Sequence, residues 1–357
     1  MKSHIIQIDK STWTHDEWLE YRRSGIGGSE TGTILTIPDP NDPSRVLSGF
    51  NKYESAAQLF FKKIGIIEQQ KIEKIEMFMG NYLEDTVADL WSYHDGSLEG
   101  MMANYNQGIQ VKKCRKINRI LKNPNYEWLY ANLDRVINID SNPLQINEEG
   151  VLECKTIDKF AAEQWESGVP EYYIFQVQTY LIVADLQYAE LAMLKSGRHL
   201  EVYPIKRSDI LCEQIILQTK EFWDRCLKAF PLVAEMKMER INGRYDRAEA
   251  IEREIDDLAP ASDSSPAYLE FMKERYRRGD GAERAGSAEE FALALNHAKA
   301  QENIKYWEGI ELGYKNQLME AMKYAERLQF EGKQRVDWKM NSAGKRVFRN
   351  YVTTKNK

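Results

Sequence analysis

Up to residue 207 the chain alternates short apolar runs with amphipathic stretches, the pattern of an α/β protein. Residues 4–8 predict a strand. Thr14-His-Asp-Glu17 has the form of a capping box, so a short helix with Trp18, Leu19 and Tyr21 follows. Residues 22–30 are glycine-rich, and Ser29 is placed to cap a helix over 30–36. Residues 37–51, rich in Pro, Asp, Asn and Ser, predict a loop. Helices are expected over 54–64 and 76–91; in the second, Met77, Tyr82, Val87, Leu90 and Trp91 make an apolar face that also holds Glu84. Residues 108–116 and 127–139 predict strands, and 140–150 a hairpin connection to a further strand at 151–157. A helix over 158–167 should break at Gly168-Val-Pro170. The almost uninterrupted apolar stretch 172–184 reads as a buried helix. Residues 188–195 and 201–206 predict a hairpin around Ser196-Gly197.

Beyond residue 207 the pattern changes. Residues 209–258 are long, charged and periodic, with Ile215, Ile216, Phe222, Trp223 and Phe230 giving way to Arg/Glu-rich sequence. Residues 259–266 have the composition of a linker. A second helical region covers 288–329, without heptads regular enough for a coiled coil. Strands are expected at 335–340 and 346–352. The expected plan is an α/β core over 1–207, a helical extension over 208–330 with its linker near 259–266, and a basic hairpin-like tail over 331–357. In that tail Trp338, Phe348 and Tyr351 are interleaved with lysines and arginines, which fits a nucleic-acid contact and fits a solvated tail equally.

Composition narrows the class. The 357 residues are 43% hydrophobic and 29% charged, a soluble globular balance, and the net charge of −6 does not by itself announce a nucleic-acid binder. The four cysteines, Cys114, Cys154, Cys212 and Cys226, form no Cys-x-x-Cys, which argues against a zinc ribbon or a clustered iron–sulfur motif and fits a reducing compartment. No apolar run approaches the roughly 20 residues of a membrane span, and the N-terminus lacks the pattern of a signal peptide. A cytoplasmic protein without a membrane partner is expected.

The chemistry concentrates in two strands. Asp134 ends one apolar run; in the other, Val151, Glu153 and Lys155 share one side while Leu152, Cys154 and Thr156 share the opposite one. Two carboxylates and an amine on buried strands need pairing or a metal, and such a set suits metal-assisted phosphodiester hydrolysis. An edge strand with a solvated polar face is the other reading. Glu84 is either a surface acid or a third acid facing the metal. Gln176, inside the apolar helix, requires a partner, either backbone or a catalytic water. Arg22 to Ser29 is either a phosphate cradle at a helix N-terminus or a glycine-rich turn with a cap.

Five pieces in order, Arg22 to Ser29, Gly80 to Glu84, Leu133-Asp134, Leu152-Glu-Cys-Lys155 and Gln176-Val-Gln178, resemble the PD-(D/E)XK nuclease superfamily, and within it the YqaJ-type phage recombinases related to lambda exonuclease. The resemblance covers roughly residues 12–207. It implies a restriction-endonuclease-like mixed β-sheet core flanked by helices, followed here by a long helical C-terminal extension. It implies Asp134, Glu153, the Cys154 carbonyl and Glu84 as ligands of Mg²⁺, with Mn²⁺ as a possible substitute. Lys155 would position or activate the attacking water and Gln176 would orient the metal shell, while Arg22 and Ser29 would hold a 5′-phosphate. The implied activity is 5′–3′ exodeoxyribonuclease action on linear double-stranded DNA ends, leaving 3′ single strands for recombination in a phage or prophage setting within a bacterial host. Implied partners are duplex DNA ends, further copies in a ring-shaped homo-oligomer, and a single-strand annealing protein. Two alternatives stand beside this: a structure-specific or nicking endonuclease of the same fold, and a non-catalytic DNA-binding or assembly protein.

Overall fold

In the computed structural model the described residues are 1–352 apart from 40, 41, 52, 69–74, 145, 146, 159, 160, 167, 278, 280 and 282. They form two compact units, Met1–Arg277 and Arg278–Lys357. The first begins β1 (Ile6–Asp9), α1 (His15–Arg22), β2 (Ile26–Gly27), α2 (Gly28–Ile34), β3 (Ile37–Asp39), β4 (Asp42–Leu47), α3 (Ala56–Lys63), α4 (Ile75–Tyr93) and α5 (Leu98–Gln107). It continues β5 (Cys114–Arg115), β6 (Arg119–Lys122), β7 (Leu129–Tyr130), β8 (Arg135–Ile137), β9 (Gly150–Ile157), α6 (Glu171–Ala184), β10 (Tyr188–Lys195), β11 (His199–Lys206), α7 (Asp209–Ile241), α8 (Tyr245–Leu258) and α9 (Pro266–Arg275).

A five-stranded sheet in the order β11-β10-β9-β8-β5 organises this unit. Only β9 and β10 pair in parallel; the other neighbours are antiparallel, so the sheet is mixed. Alternation along β9 separates two cores. Val151 joins Leu191, Met193 and α6 on one face. Leu152 and Cys154 join Ala192, Leu194 and the α4 residues Val87, Ala88 and Trp91 on the other. The expected α/β class, a mixed sheet between helices with a long helical C-terminal region, is the one observed.

Local differences from the sequence reading have local causes. The expected strand at 108–116 shrinks to Cys114–Arg115, because Ser97 caps an unexpected helix, α5, and Gly108 closes it at φ 68°. Residues 127–139 split into β7 and β8. The expected loop at 37–51 contains the antiparallel pair β3–β4, and β6 pairs with β1. Where a helix was expected over 158–167, Ala161–Trp165 is a 3-10 turn; residues 159, 160 and 167 lie outside the described residues. On α4 the expected apolar face holds only in its second half: Val87 and Trp91 are buried, whereas Met77 and Tyr82 are exposed.

The region 209–277 joins the core rather than standing apart. Phe222 of α7 meets Phe60 edge-on at 6.4 Å, and Phe271 of α9 stacks on Phe61 at 5.6 Å. Ser265 caps α9, so the expected linker near 259–266 ends in a docked helix. The break between units consequently falls at Arg277/Arg278 and not at 207/208. The second unit holds the helix α10 (Ala288–Met322), which stops before the expected 329, and a three-stranded sheet of β12 (Arg327–Gln329), β13 (Arg335–Met340) and β14 (Arg346–Asn350). No helix among the described residues is long and apolar enough to cross a membrane.

Candidate active site

Glu153 sits on β9, the middle strand of five, with α6 on its face of the sheet, and is 1% exposed. That position rules out the solvated edge strand. One carboxylate oxygen, Oε1, accepts from Lys155 Nζ at 2.5 Å and from Gln176 Nε2 at 2.7 Å. The second, Oε2, is buried without a hydrogen-bond partner among the described residues. Lys155 is one strand repeat further along, so it shares the face of Glu153, and its head lies 5.2 Å from the Tyr173 ring. Gln176 also reaches the Tyr180 hydroxyl at 2.7 Å. Its partners are therefore side chains of the site, which answers the question its burial posed.

Asp134 directly precedes β8, and its Oδ2 accepts the Cys154 amide at 2.8 Å. Burial, then repulsion from Glu153 and Glu84, raises its carboxyl well above the ordinary carboxylate range, against the pull of Lys155 and the Cys154 amide. Lys155 is held above the ordinary lysine range: burial works against its charge, but Glu153 and Asp134 outweigh it. The Cys154 thiol faces the opposite core and is pushed up chiefly by burial; it offers no reactive thiolate.

Glu84 lies beside this group without joining it. Its Oε1 accepts from Arg135 Nη1 at 2.5 Å, and Arg135 also pairs with Asp85. Lys116 lies 3.7 Å from Glu84 and 2.9 Å from Asp85. Among the described residues, no three His, Cys, Asp or Glu side chains are grouped as a metal cage. The donor set nevertheless suits a divalent cation: the buried carboxylates Asp134 and Glu153, the second with a buried oxygen left unpaired by any described residue. Oxygen-only ligands of this kind match a hard ion.

The Arg22 to Ser29 stretch is built differently from a glycine-loop cradle. The N-cap of α2 is Gly27, not Ser29, and the carboxylate of Glu30 accepts the Gly27 amide at 2.8 Å. Arg22 Nη2 binds Glu30 at 2.8 Å, and the fully buried Lys63 binds its other oxygen at 2.7 Å. Burial pushes the Glu30 carboxyl up, but Lys63 and Arg22 more than offset it and hold it low. Two cations thus meet one carboxylate, leaving an unbalanced positive charge at Arg22. The glycines serve close approach: a Cβ on Gly28 would lie 2.4 Å from the Tyr180 ring, and one on Gly27 2.9 Å from the Tyr130 ring. Ser29 is exposed, and only its carbonyl is engaged, by the Tyr172 hydroxyl at 2.5 Å.

Helix α6 connects the two places. Gln176 and Tyr180 face Glu153, while Tyr172 reaches Ser29 and Thr179 meets Thr31 at 2.9 Å. Residues not anticipated from sequence are Glu30, Lys63, Arg135, Tyr180 and Lys10; burial lowers the Lys10 amine, and Glu84 and Asp134 offset this only in part. Lys63 had a readable signal. It falls four residues after Leu59 and three after Phe60, on the apolar side of its helix.

Comparison with known proteins finds a family and solved structures that the chain resembles. Residues 17–187 match the YqaJ-like viral recombinase domain. The uncharacterized protein YqaJ of Bacillus subtilis (strain 168) is 29% identical over 338 residues, covering 92% of this chain and 84% of its own. Among solved structures, the alkaline exonuclease LHK-Exo of Laribacter hongkongensis is similar at 14% identity and a TM-score of 0.44, covering 63% of this chain and 98% of that one. A phage-related exonuclease from Haemophilus somnus 129PT is similar at 12% identity and a TM-score of 0.37, covering 59% and 98%. The span 17–187 takes in Arg22, Ser29, Glu84, Asp134, Glu153, Lys155 and Gln176, and over it the chain is similar to the YqaJ-like viral recombinase domain.

Proposed function

We propose that the protein is a Mg²⁺-dependent deoxyribonuclease that digests one strand of linear duplex DNA 5′ to 3′, leaving a 3′ single strand for recombination. The observation that carries this reading is the buried pair Asp134 and Glu153, with Lys155 and Gln176 on one Glu153 oxygen and the other oxygen unpaired. Asp134, Glu153 and the Cys154 carbonyl would hold the cation, with Glu84 as the outer acid and Mn²⁺ as an acceptable substitute. Held by these residues, a divalent cation would supply an acidified water and positive charge to offset that developing on the phosphate and the leaving oxygen. Lys155 keeps its proton and presents a positive charge to the scissile phosphate. Gln176 fixes the rotamer of Glu153, and the Cys154 amide fixes Asp134. Arg22, with its excess charge, and Ser29, with its exposed hydroxyl, would take the 5′-phosphate. Its expected partners are duplex ends, further copies of the chain in a ring, and a single-strand annealing protein. Nucleotide release from 5′-phosphorylated linear duplex in Mg²⁺ tests the reading. Lys155→Ala should reduce the rate by about 10²-fold or more; an equally active variant overturns the role of Lys155. Equal initial rates on 5′-phosphate and 5′-hydroxyl duplex would remove Arg22 and Ser29 from end recognition.

A further inference from the structure

The second unit carries a charge opposite to that of the whole chain. Residues 323–352 hold eight basic and three acidic side chains in a protein of net charge −6. Sheet register sorts them by face. Arg327, Asp337 and Arg349 form one row, Gln329 and Arg335 the next, with Lys339 on the same side. The reverse face holds Leu328, Val336, Trp338 and Phe348, and it is the packed one: Val336 is buried, and Lys315 of α10 lies 5.7 Å over the Phe348 ring. Arg346 belongs to that packing. Its guanidinium lies 3.7 Å over Trp338 and donates to the Lys323 and Ala325 carbonyls at 2.6 Å each, closing the end of α10.

The outer face differs in what its charges do. Arg327 is bound in two-pronged fashion by Asp337, at 2.6 and 2.9 Å. The side chains of Lys339 and Arg349 make no hydrogen bond or salt bridge to any described residue. Arg335 Nε lies 3.5 Å from Asp337 Oδ2 without a hydrogen bond, and its guanidinium lies 4.3 Å over the ring of Tyr351, which is 41% exposed. One acid therefore faces four bases: Asp337 pairs with Arg327 and, at 3.5 Å, with Arg335, while Lys339 and Arg349 have no carboxylate partner among the described residues, beside an exposed aromatic ring. Surface cations held in a row without partners are mutually repulsive, and a chain of phosphates with stackable bases complements both features.

We infer that the outer face of β12–β14 binds a single-stranded DNA segment, Arg335, Lys339 and Arg349 contacting phosphates and Tyr351 offering its ring to a base. The choice of DNA rests on the nuclease reading above; the anionic, phosphate-bearing character of the ligand rests on the charge of the face alone. The test is fluorescence anisotropy of the full chain with a labelled single-stranded oligonucleotide, in EDTA so that nothing is cut. For Lys339→Ala/Arg349→Ala the slope of log affinity against log salt should fall by about 1.4, with affinity near 0.1 M salt weakened roughly tenfold or more. Lys339→Arg/Arg349→Lys should keep both. Unchanged affinity and slope overturn the inference, and so does weaker binding at an unchanged slope, which marks damage to the fold. A duplex of equal length that binds as tightly and loses as much overturns the assignment to a single strand. Because the assay needs no cleavage, a protein that digests nothing but shows the slope change keeps this face and loses the nuclease reading; normal digestion without the slope change does the reverse.

Discussion

Glu30 and Glu153 are both buried carboxylates, and their surroundings give them different work. Glu30 has a partner for each oxygen: Arg22 on one, Lys63 and the Gly27 amide on the other. Glu153 has one oxygen crowded and one empty. On the proposed reading the first is a structural anchor and the second a cation ligand. Replacing Glu30 by Gln strands Lys63 without its counter-charge, and removal of one partner from a buried pair costs about 3–5 kcal/mol. Chemical denaturation at neutral pH should show that loss. The pH dependence has a defined sign. The folded carboxyl lies below its ordinary 4.5, so its stabilisation is present above that value and is lost as pH falls through the folded one. The stability gap between wild type and Glu30→Gln should therefore narrow in acid. A gap independent of pH, or no gap at neutral pH, contradicts the anchor role.

At the scale of elements, α6 sets the site. Its burial follows from being apolar on nearly every side, and its polar exceptions are spent within the fold: Gln176 on Glu153, Thr179 on α2, and Gln178 on the Lys206 carbonyl and the Ser208 amide. Close approach of α2 to this helix depends on Gly28. In Gly28→Ala the new Cβ would lie 2.4 Å from the Tyr180 ring, so the ring or the helix must move. Overpacking of this kind costs about 1–3 kcal/mol. Tyr180 holds Gln176, so nucleotide release should fall even where the variant is fully folded; a folded variant with wild-type activity would separate the two helices functionally. The acid–lysine strand was legible in sequence because alternation along β9 fixes which residues share a face. The Glu30–Lys63 pair was not, since it joins two helices far apart in the chain and no local period reports it. The role of the glycines at 27 and 28 was likewise hidden, because the tyrosines they accommodate lie at 130 and 180.

For the whole molecule, residues 209–277 illustrate a limit of sequence periodicity: it shows that a helix has an apolar face, but not what that face covers. Phe222 and Phe271 close on the phenylalanines of α3, and this places the extension within the first unit. A fragment comprising residues 1–277 should accordingly melt cooperatively and retain Mg²⁺-dependent nucleotide release, while losing the salt dependence assigned to the outer face of β12–β14. A fragment ending at 207 should not fold, because it exposes the α3 surface that α7 and α9 bury. Circular dichroism melts of the two fragments decide this, and a cooperative melt of the shorter one would contradict the described packing.

The central claim is that Asp134 and Glu153 form a cation-dependent phosphodiesterase site working from DNA ends. The most direct measurement compares nucleotide release from linear and covalently closed circular duplex, with Mg²⁺ and with EDTA, for wild type and Asp134→Asn. Wild type should release nucleotides only from the linear substrate and only with Mg²⁺, and Asp134→Asn should release none from either. Mg²⁺-independent release, or an active Asp134→Asn, would contradict the site; cutting of the closed circle would contradict its action from ends.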